Sequence, residues 1–203
     1  RNEEDQSKVH QEQLDGAMGI EEKYGKVNGG QTISYERVCL FLIEKIDSNL
    51  QFKRELFKRV LYSYLLGNND FHLRNFSIIM PNEEKNRLAP IYDFVSTAPY
   101  LDTFADSYLA LPLLKIEENE NELAPGFNTQ YGQYIGYDFI EFAQGLGING
   151  KLAVKVISEA VKNKAIVIDT IDSSFMTEIH KKEVIRCFNQ RLSCLQVQDY
   201  NPI

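Results

Sequence analysis

The chain has 203 residues, 43% of them hydrophobic and 25% charged, with a formal net charge of −7. This length and balance fit one soluble globular domain, or one large lobe of a bigger protein, with a core that needs neither disulfides nor structural metals. The negative charge argues against direct nucleic-acid binding, and no apolar run reaches the roughly 20 residues that span a bilayer. Cys39, Cys187 and Cys194 show no paired metal-ligand spacing. Cys39 and Cys187 fall in apolar helical patterns and read as buried thiols. An odd cysteine count without a signal peptide fits a reducing cytoplasm. The chain opens on Arg1 rather than Met, which predicts a piece of a longer protein.

In chain order, residues 10–19 read as a lead-in helix carrying Leu14, Ala17 and Met18, and Gly25 to Gly30 as a plain Gly-rich loop. Ser34 is a natural N-cap for a helix over 35–46, with Val38, Leu42 and Ile46 spaced by four. The helix over 50–66 carries the clearest pattern: Phe52, Leu56, Phe57, Val60, Leu61, Tyr64 and Leu65 form one stripe, with Lys53, Arg54, Lys58 and Arg59 on the other side. Gly67 supplies its stop. Strand-like runs follow at 77–80, 87–91 and 107–111. The polar turn at 81–86 predicts that the first two pair as a hairpin. Residues 115–133 read as loop, and the acidic run from Glu117 to Glu122 as solvated and mobile. Asp138 with Glu141 suggests a capping box opening a helix through Leu146. Further helices are expected around Leu152 to Val161 and Val184 to Leu192, the latter entered near Ser173 or Ser174. The expected fold is therefore mainly α (α+β): a helical domain in which a small antiparallel β-hairpin carries the site, as one domain over 1–203.

The chemistry concentrates between Gly67 and Ser77. Gly67-Asn68-Asn69-Asp70-Phe71-His72-Leu73-Arg74-Asn75-Phe76-Ser77 places an Asp, a His and an Asn in one loop between an apolar helix and a strand. The Asp70-to-Asn75 spacing is that of a kinase catalytic loop, where the Asp accepts the substrate hydroxyl proton and the Asn holds a magnesium ion. A second carboxylate, Asp93, ends the next strand-like run, and the hairpin would return it toward Asp70 and Asn75. Phosphoryl transfer asks the protein to position a hydroxyl and to neutralise phosphate charge, and Mg²⁺ is held by one or two carboxylates plus phosphate oxygens and water. Asn75 and Asp93 are an adequate ligand pair. His72 and Arg74 could each face the phosphates or brace the loop.

On these residues the sequence resembles the C-terminal region of the HipA family, bacterial toxin serine/threonine kinases of toxin–antitoxin modules. The loop from Gly67 to Ser77 is similar to the family's Gly-Asn-x-Asp-x-His-x-x-Asn-Phe-Ser segment. Leu88-Ala89-Pro90-Ile91-Tyr92-Asp93-Phe94-Val95-Ser96-Thr97 is similar to its Leu-x-Pro-x-Tyr-Asp metal-binding segment. Val9-His10-Gln11-Glu12-Gln13-Leu14 resembles its upstream His-Gln-Glu-Asp-Phe segment, and Asp106 to Leu111 its later Asp-x-x-Ala-Leu strand. The resemblance implies a kinase C-lobe dependent on ATP and Mg²⁺. It casts Asp70 as catalytic base, His72 and Arg74 as catalytic-loop residues, His72, Asn75 and Asp93 as cofactor-binding residues, and Asn75 and Asp93 as metal ligands. The implied substrate is a protein serine, with aminoacyl-tRNA synthetases among the family's targets, and the implied partner a DNA-binding helix-turn-helix antitoxin.

One departure bears on activity. A kinase also needs a Gly-rich phosphate loop and a phosphate-pairing lysine from its N-lobe. Gly25 to Gly30 is a Gly-rich lysine-bearing stretch, but it lacks a P-loop spacing. The N-lobe is thus expected to be absent, and the fragment alone inactive. Two other readings stay open: a non-catalytic lobe that docks an antitoxin, and a small-molecule or lipid kinase relative, because phosphatidylinositol kinases share the Asp-x-His-x-x-Asn order.

Overall fold

The apolar stripes of the sequence become the helices that build the core. The computed structural model describes residues 8–28, 30–82, 84–100 and 108–203. Helix α2 (Tyr35–Lys45) and helix α3 (Leu50–Leu65) are capped by the side chains of Ser34 and Asn49, which accept from Arg37 N and Phe52 N. Val38, Cys39 and Leu42 of α2 and Leu56, Phe57, Val60, Leu61, Tyr64 and Leu65 of α3 are wholly buried. Helix α4 (Gly136–Gly145) packs on α3 through aromatic rings: Phe57 stacks with Phe142 at 5.9 Å and Tyr64 meets Phe139 at 5.1 Å. Helices α5 (Gly150–Lys162), α6 (Lys164–Asp172) and α7 (Glu178–Leu195) complete the helical layer. From α7, the buried Arg191 donates to the Tyr64 and Tyr108 carbonyls at 2.6 and 2.9 Å. It thereby satisfies a carbonyl in the last turn of α3, which has no partner within the helix.

Strand β4 (Ser77–Met80) is the centre of a three-stranded antiparallel sheet. On one side it pairs with β5 (Arg87–Leu88), Ile78 opposite Leu88, which is the expected hairpin. On the other it pairs with β1 (His10–Gln13), Gln11 opposite Ile79. Mainly helical architecture with a small antiparallel sheet is as expected.

Several local expectations are corrected. Residues 10–19 are strand β1 followed by a short helix α1 (Leu14–Met18), because the backbone of the polar segment 10–13 extends the sheet beside β4. The Gly-rich loop contains a two-stranded hairpin, β2 (Lys26–Val27) with β3 (Gly30–Gln31). Strand β5 stops short of 91 because Pro90 has no N–H to donate. Of the strand expected at 107–111, residue 107 lies outside the described residues, and 108–111 turn irregularly with Leu109 and Leu111 buried.

The acidic run is solvated only from Asn119 to Glu122. Lys115–Glu120 forms 3₁₀ turns, and Glu117 and Glu118 are buried. Glu117 accepts from Leu114 N and the Tyr134 hydroxyl, both at 2.8 Å. Glu118 accepts from Ser34 and from the Arg37 guanidinium. Burial pushes Glu117 above the usual carboxylate range. Glu118 is pushed the same way by burial, but its bonds from Arg37 and Ser34 prevail and hold it below. Asp138 stands inside its helix rather than at the cap, its two oxygens accepting from Gly126 N at 3.0 Å and Ile135 N at 2.8 Å. The last helix is capped by Thr177, not by Ser173 or Ser174, and α6 was not anticipated.

Candidate active site

The loop that carries Asp70 begins where α3 ends. Gly67 adopts φ +69, the left-handed conformation that terminates helices, and a Cβ there would lie 2.9 Å from Cys187 Sγ. Thr97 then ties the loop down from the far side of the hairpin. Its hydroxyl and its backbone N–H both donate to Gly67 O at 2.8 Å, and its Oγ1 accepts from Asn69 N at 3.2 Å. Asn68, fully buried, accepts from Asp70 N through Oδ1 at 3.1 Å, a turn that sets the direction of Asp70.

Asn75 joins the two motifs. Its Nδ2 donates to Asp70 O at 2.7 Å and approaches Asp93 O at 3.5 Å. Both partners are carbonyl oxygens, which can only accept, so the amide nitrogen must face them and Oδ1 is turned the other way. Oδ1 makes no hydrogen bond among the described residues. Asp93 is exposed and sits at φ 50, a left-handed conformation that Asp tolerates better than most residues. The donor types, an amide oxygen on Asn75 and an exposed carboxylate on Asp93, suit a hard divalent cation that completes its shell with phosphate and water. Among the described residues no three His, Cys, Asp or Glu side chains converge on a common point, so a dedicated all-protein metal cage is not formed.

The other candidates take different positions. His72 is 6% exposed, with Nε2 3.7 Å from Asp70 Oδ1, and its N–H donates to Asp70 O at 2.9 Å. Burial first, and the nearby Lys23 second, lower its pKa and favour the neutral imidazole. Arg74 is directed away from Asp70: its Nε pairs with Asp15 Oδ2 at 2.6 Å, while its carbonyl accepts from Tyr92 Oη at 2.7 Å and Gln13 Nε2 at 3.2 Å. Sequence reasoning missed three contributors. Lys23 and Tyr24 reach Asp70 from a turn 46 residues upstream, and Thr97 braces the loop from downstream. Nothing in their local pattern marks them, because only the tertiary fold brings them to the loop.

A groove of about 880 Å³ runs along α3, lined by Leu50, Arg54, Lys58, Tyr62, Ile91 and Phe94 among others. It meets the second motif at Ile91 and at Phe94, beside Asp93. Asp70 and Asn75 are not among its lining residues.

The model of the HipA-like C-terminal domain matches residues 1–167. The chain belongs to the HipA-like C-terminal domain family. A Haemophilus influenzae protein named "Putative kinase" is 47% identical over 195 residues, which cover 95% of this chain and 57% of that protein. HipA of Shewanella oneidensis, solved with HipB and operator DNA, shares the fold at a TM-score of 0.65 and 20% identity, over 97% of this chain and 46% of that one. The Helicobacter pylori proinflammatory kinase CtkA does so at a TM-score of 0.53 and 16% identity, over 97% of this chain and 72% of that one. This HipA-like chain thus shares its fold with HipA and with the kinase CtkA, and it spans little more than half of its H. influenzae relative.

Proposed function

We propose that this HipA-like chain is the acceptor-and-metal lobe of a serine/threonine protein kinase that transfers a phosphoryl group from ATP to a protein serine, as the toxin of a toxin–antitoxin module. The observation that carries the reading is the Asn75 amide, bonded to the Asp70 carbonyl and close to that of Asp93. One side chain thereby sets the spacing between the base and the metal ligands. Asp70 orients the acceptor hydroxyl and takes its proton as the oxygen attacks. Asn75 through Oδ1 and Asp93 through its carboxylate would hold Mg²⁺, which supplies neutralisation of phosphate charge. His72 and Arg74 brace the loop, His72 from the interior and Arg74 through Asp15.

In this reading residues 1–203 form one lobe, and the opposite wall of the ATP cleft, with its lysine and phosphate loop, belongs to the remainder of a longer protein. The lobe alone then transfers little or no phosphate. A helix-turn-helix antitoxin is the proposed partner, supported by the fold shared with a HipA solved with HipB and DNA. The test is transfer of radiolabelled phosphate from ATP by the full-length protein and its Asp70→Asn variant. Transfer by the wild type and none by the variant supports the reading. Equal transfer by both removes Asp70 as base.

A further inference from the structure

Three groups converge on one oxygen of the Asp70 carboxylate. The Tyr24 hydroxyl donates to Oδ1 at 2.8 Å, Lys23 Nζ lies 3.9 Å from the same atom, and His72 Nε2 lies 3.7 Å from it. Among the described residues no hydrogen bond reaches Oδ2. A carboxylate free to rotate about its last bond offers either oxygen to a substrate. One pinned through Oδ1 offers only Oδ2.

Tyr24 is itself held in place. Its N–H donates to Glu22 Oε2 at 2.9 Å, and its carbonyl accepts from Gln31 Nε2 at 2.7 Å in the β2–β3 hairpin. Its ring meets His72 edge-on at 5.2 Å, and the Lys23 ammonium lies 4.7 Å from the ring centroid. The turn is also bonded to the loop through its backbone, Leu73 N donating to Lys23 O at 3.0 Å. Burial, and then the bond to Asp70, push the Tyr24 hydroxyl up to about 12, so near neutral pH it remains a proton donor.

We propose that Tyr24 is a positioning residue for phosphoryl transfer: its hydroxyl fixes Asp70 through Oδ1 so that Oδ2 meets the acceptor hydroxyl, with Lys23 placing a positive charge beside the fixed oxygen. The inference rests on Asp70 being the base. In the step served, the acceptor oxygen bonds to the γ-phosphorus of ATP, the bond from that phosphorus to ADP breaks, and the acceptor proton passes to Oδ2. Orientation of a reacting group contributes strongly to rate, so a loosened carboxylate slows chemistry without weakening nucleotide binding.

The experiment uses the full-length protein and phosphate transfer from ATP. Tyr24→Phe keeps the ring against His72 and removes the donor. The expected result is a kcat lowered about 10- to 100-fold, with the KM for Mg·ATP and the Tm unchanged. Replacing Tyr24 by 4-aminophenylalanine restores an N–H donor and should recover most of the lost kcat, which a purely structural role would not require. Lys23→Met should lower kcat as well, by a smaller factor. Wild-type kcat in Tyr24→Phe, or a loss that the amino analogue fails to rescue, overturns the inference. Asp70→Asn runs in parallel. If it is inactive while Tyr24→Phe is fully active, only the positioning role fails. If it is as active as wild type, the base assignment and the positioning role fail together.

Discussion

The Asn75 amide nitrogen donates to the Asp70 carbonyl at 2.7 Å across five residues of chain, and this bond decides which way the amide faces. An Asn whose nitrogen is committed to backbone carbonyls has only its oxygen to offer a ligand. In the proposed metal site the amide would be oriented for a cation before any cation arrives.

Removing that oxygen, or the carboxylate beside it, should weaken metal-nucleotide binding. For a hard cation held by two protein groups, Asn75→Ala and Asp93→Asn in the full-length protein should each raise the Kd for Mg·ATP about 10-fold or more. Asn at 93 also tolerates the left-handed backbone, so the effect reports charge rather than misfolding. Titration calorimetry with Mg·ATP checks both. Unchanged affinity in the pair would remove them as ligands.

The Asp70→Asn variant should behave in the opposite way. Its side chain keeps nearly the same shape but accepts no proton, so transfer should fall by about 10² to 10⁴, while Mg·ATP affinity stays near that of wild type. A variant that loses nucleotide binding in the same calorimetry would place Asp70 in the metal shell instead.

Thr97 is a candidate for a stability effect with a catalytic echo. Thr97→Val preserves shape but deletes the hydroxyl that bridges Gly67 O and Asn69 N. Leaving the Asn69 N–H without this acceptor should cost about 1–3 kcal/mol, read as a lower midpoint in urea unfolding. The loop should loosen as well, so transfer should drop by more than the fraction unfolded accounts for.

Glu118 links stability to pH. Its carboxyl lies below the usual carboxylate range when folded, so the charged form favours the native state. That contribution is complete above the unfolded value near 4.3 and fades as pH falls through the lower folded value. Glu118→Gln should therefore destabilise at pH 7 by about 1–3 kcal/mol, toward the low end because Arg37 is half exposed. The gap in Tm between wild type and variant should narrow when both are unfolded at pH 3. A gap of the same size at both pH values would assign the effect to shape alone.

The helices around the site and the order of its chemical groups were legible in the amino-acid sequence. The stripe from Phe52 to Leu65 and the stop at Gly67 follow from side-chain periodicity and backbone sterics, which act within a few residues. The hairpin that returns Asp93 toward Asn75 was legible for the same reason, since its turn is local. Features that depend on a distant partner came only from packing. The segment His10–Gln13 became a strand because β4 offered it a free edge. Glu117 and Glu118, the first two residues of the acidic run, became interior because Arg37, Ser34 and Tyr134 satisfy them, and burial of a carboxylate is permitted only where such donors wait. Tyr24 and Lys23 reached Asp70 across 46 residues, a proximity that no local pattern encodes and that packing alone can create.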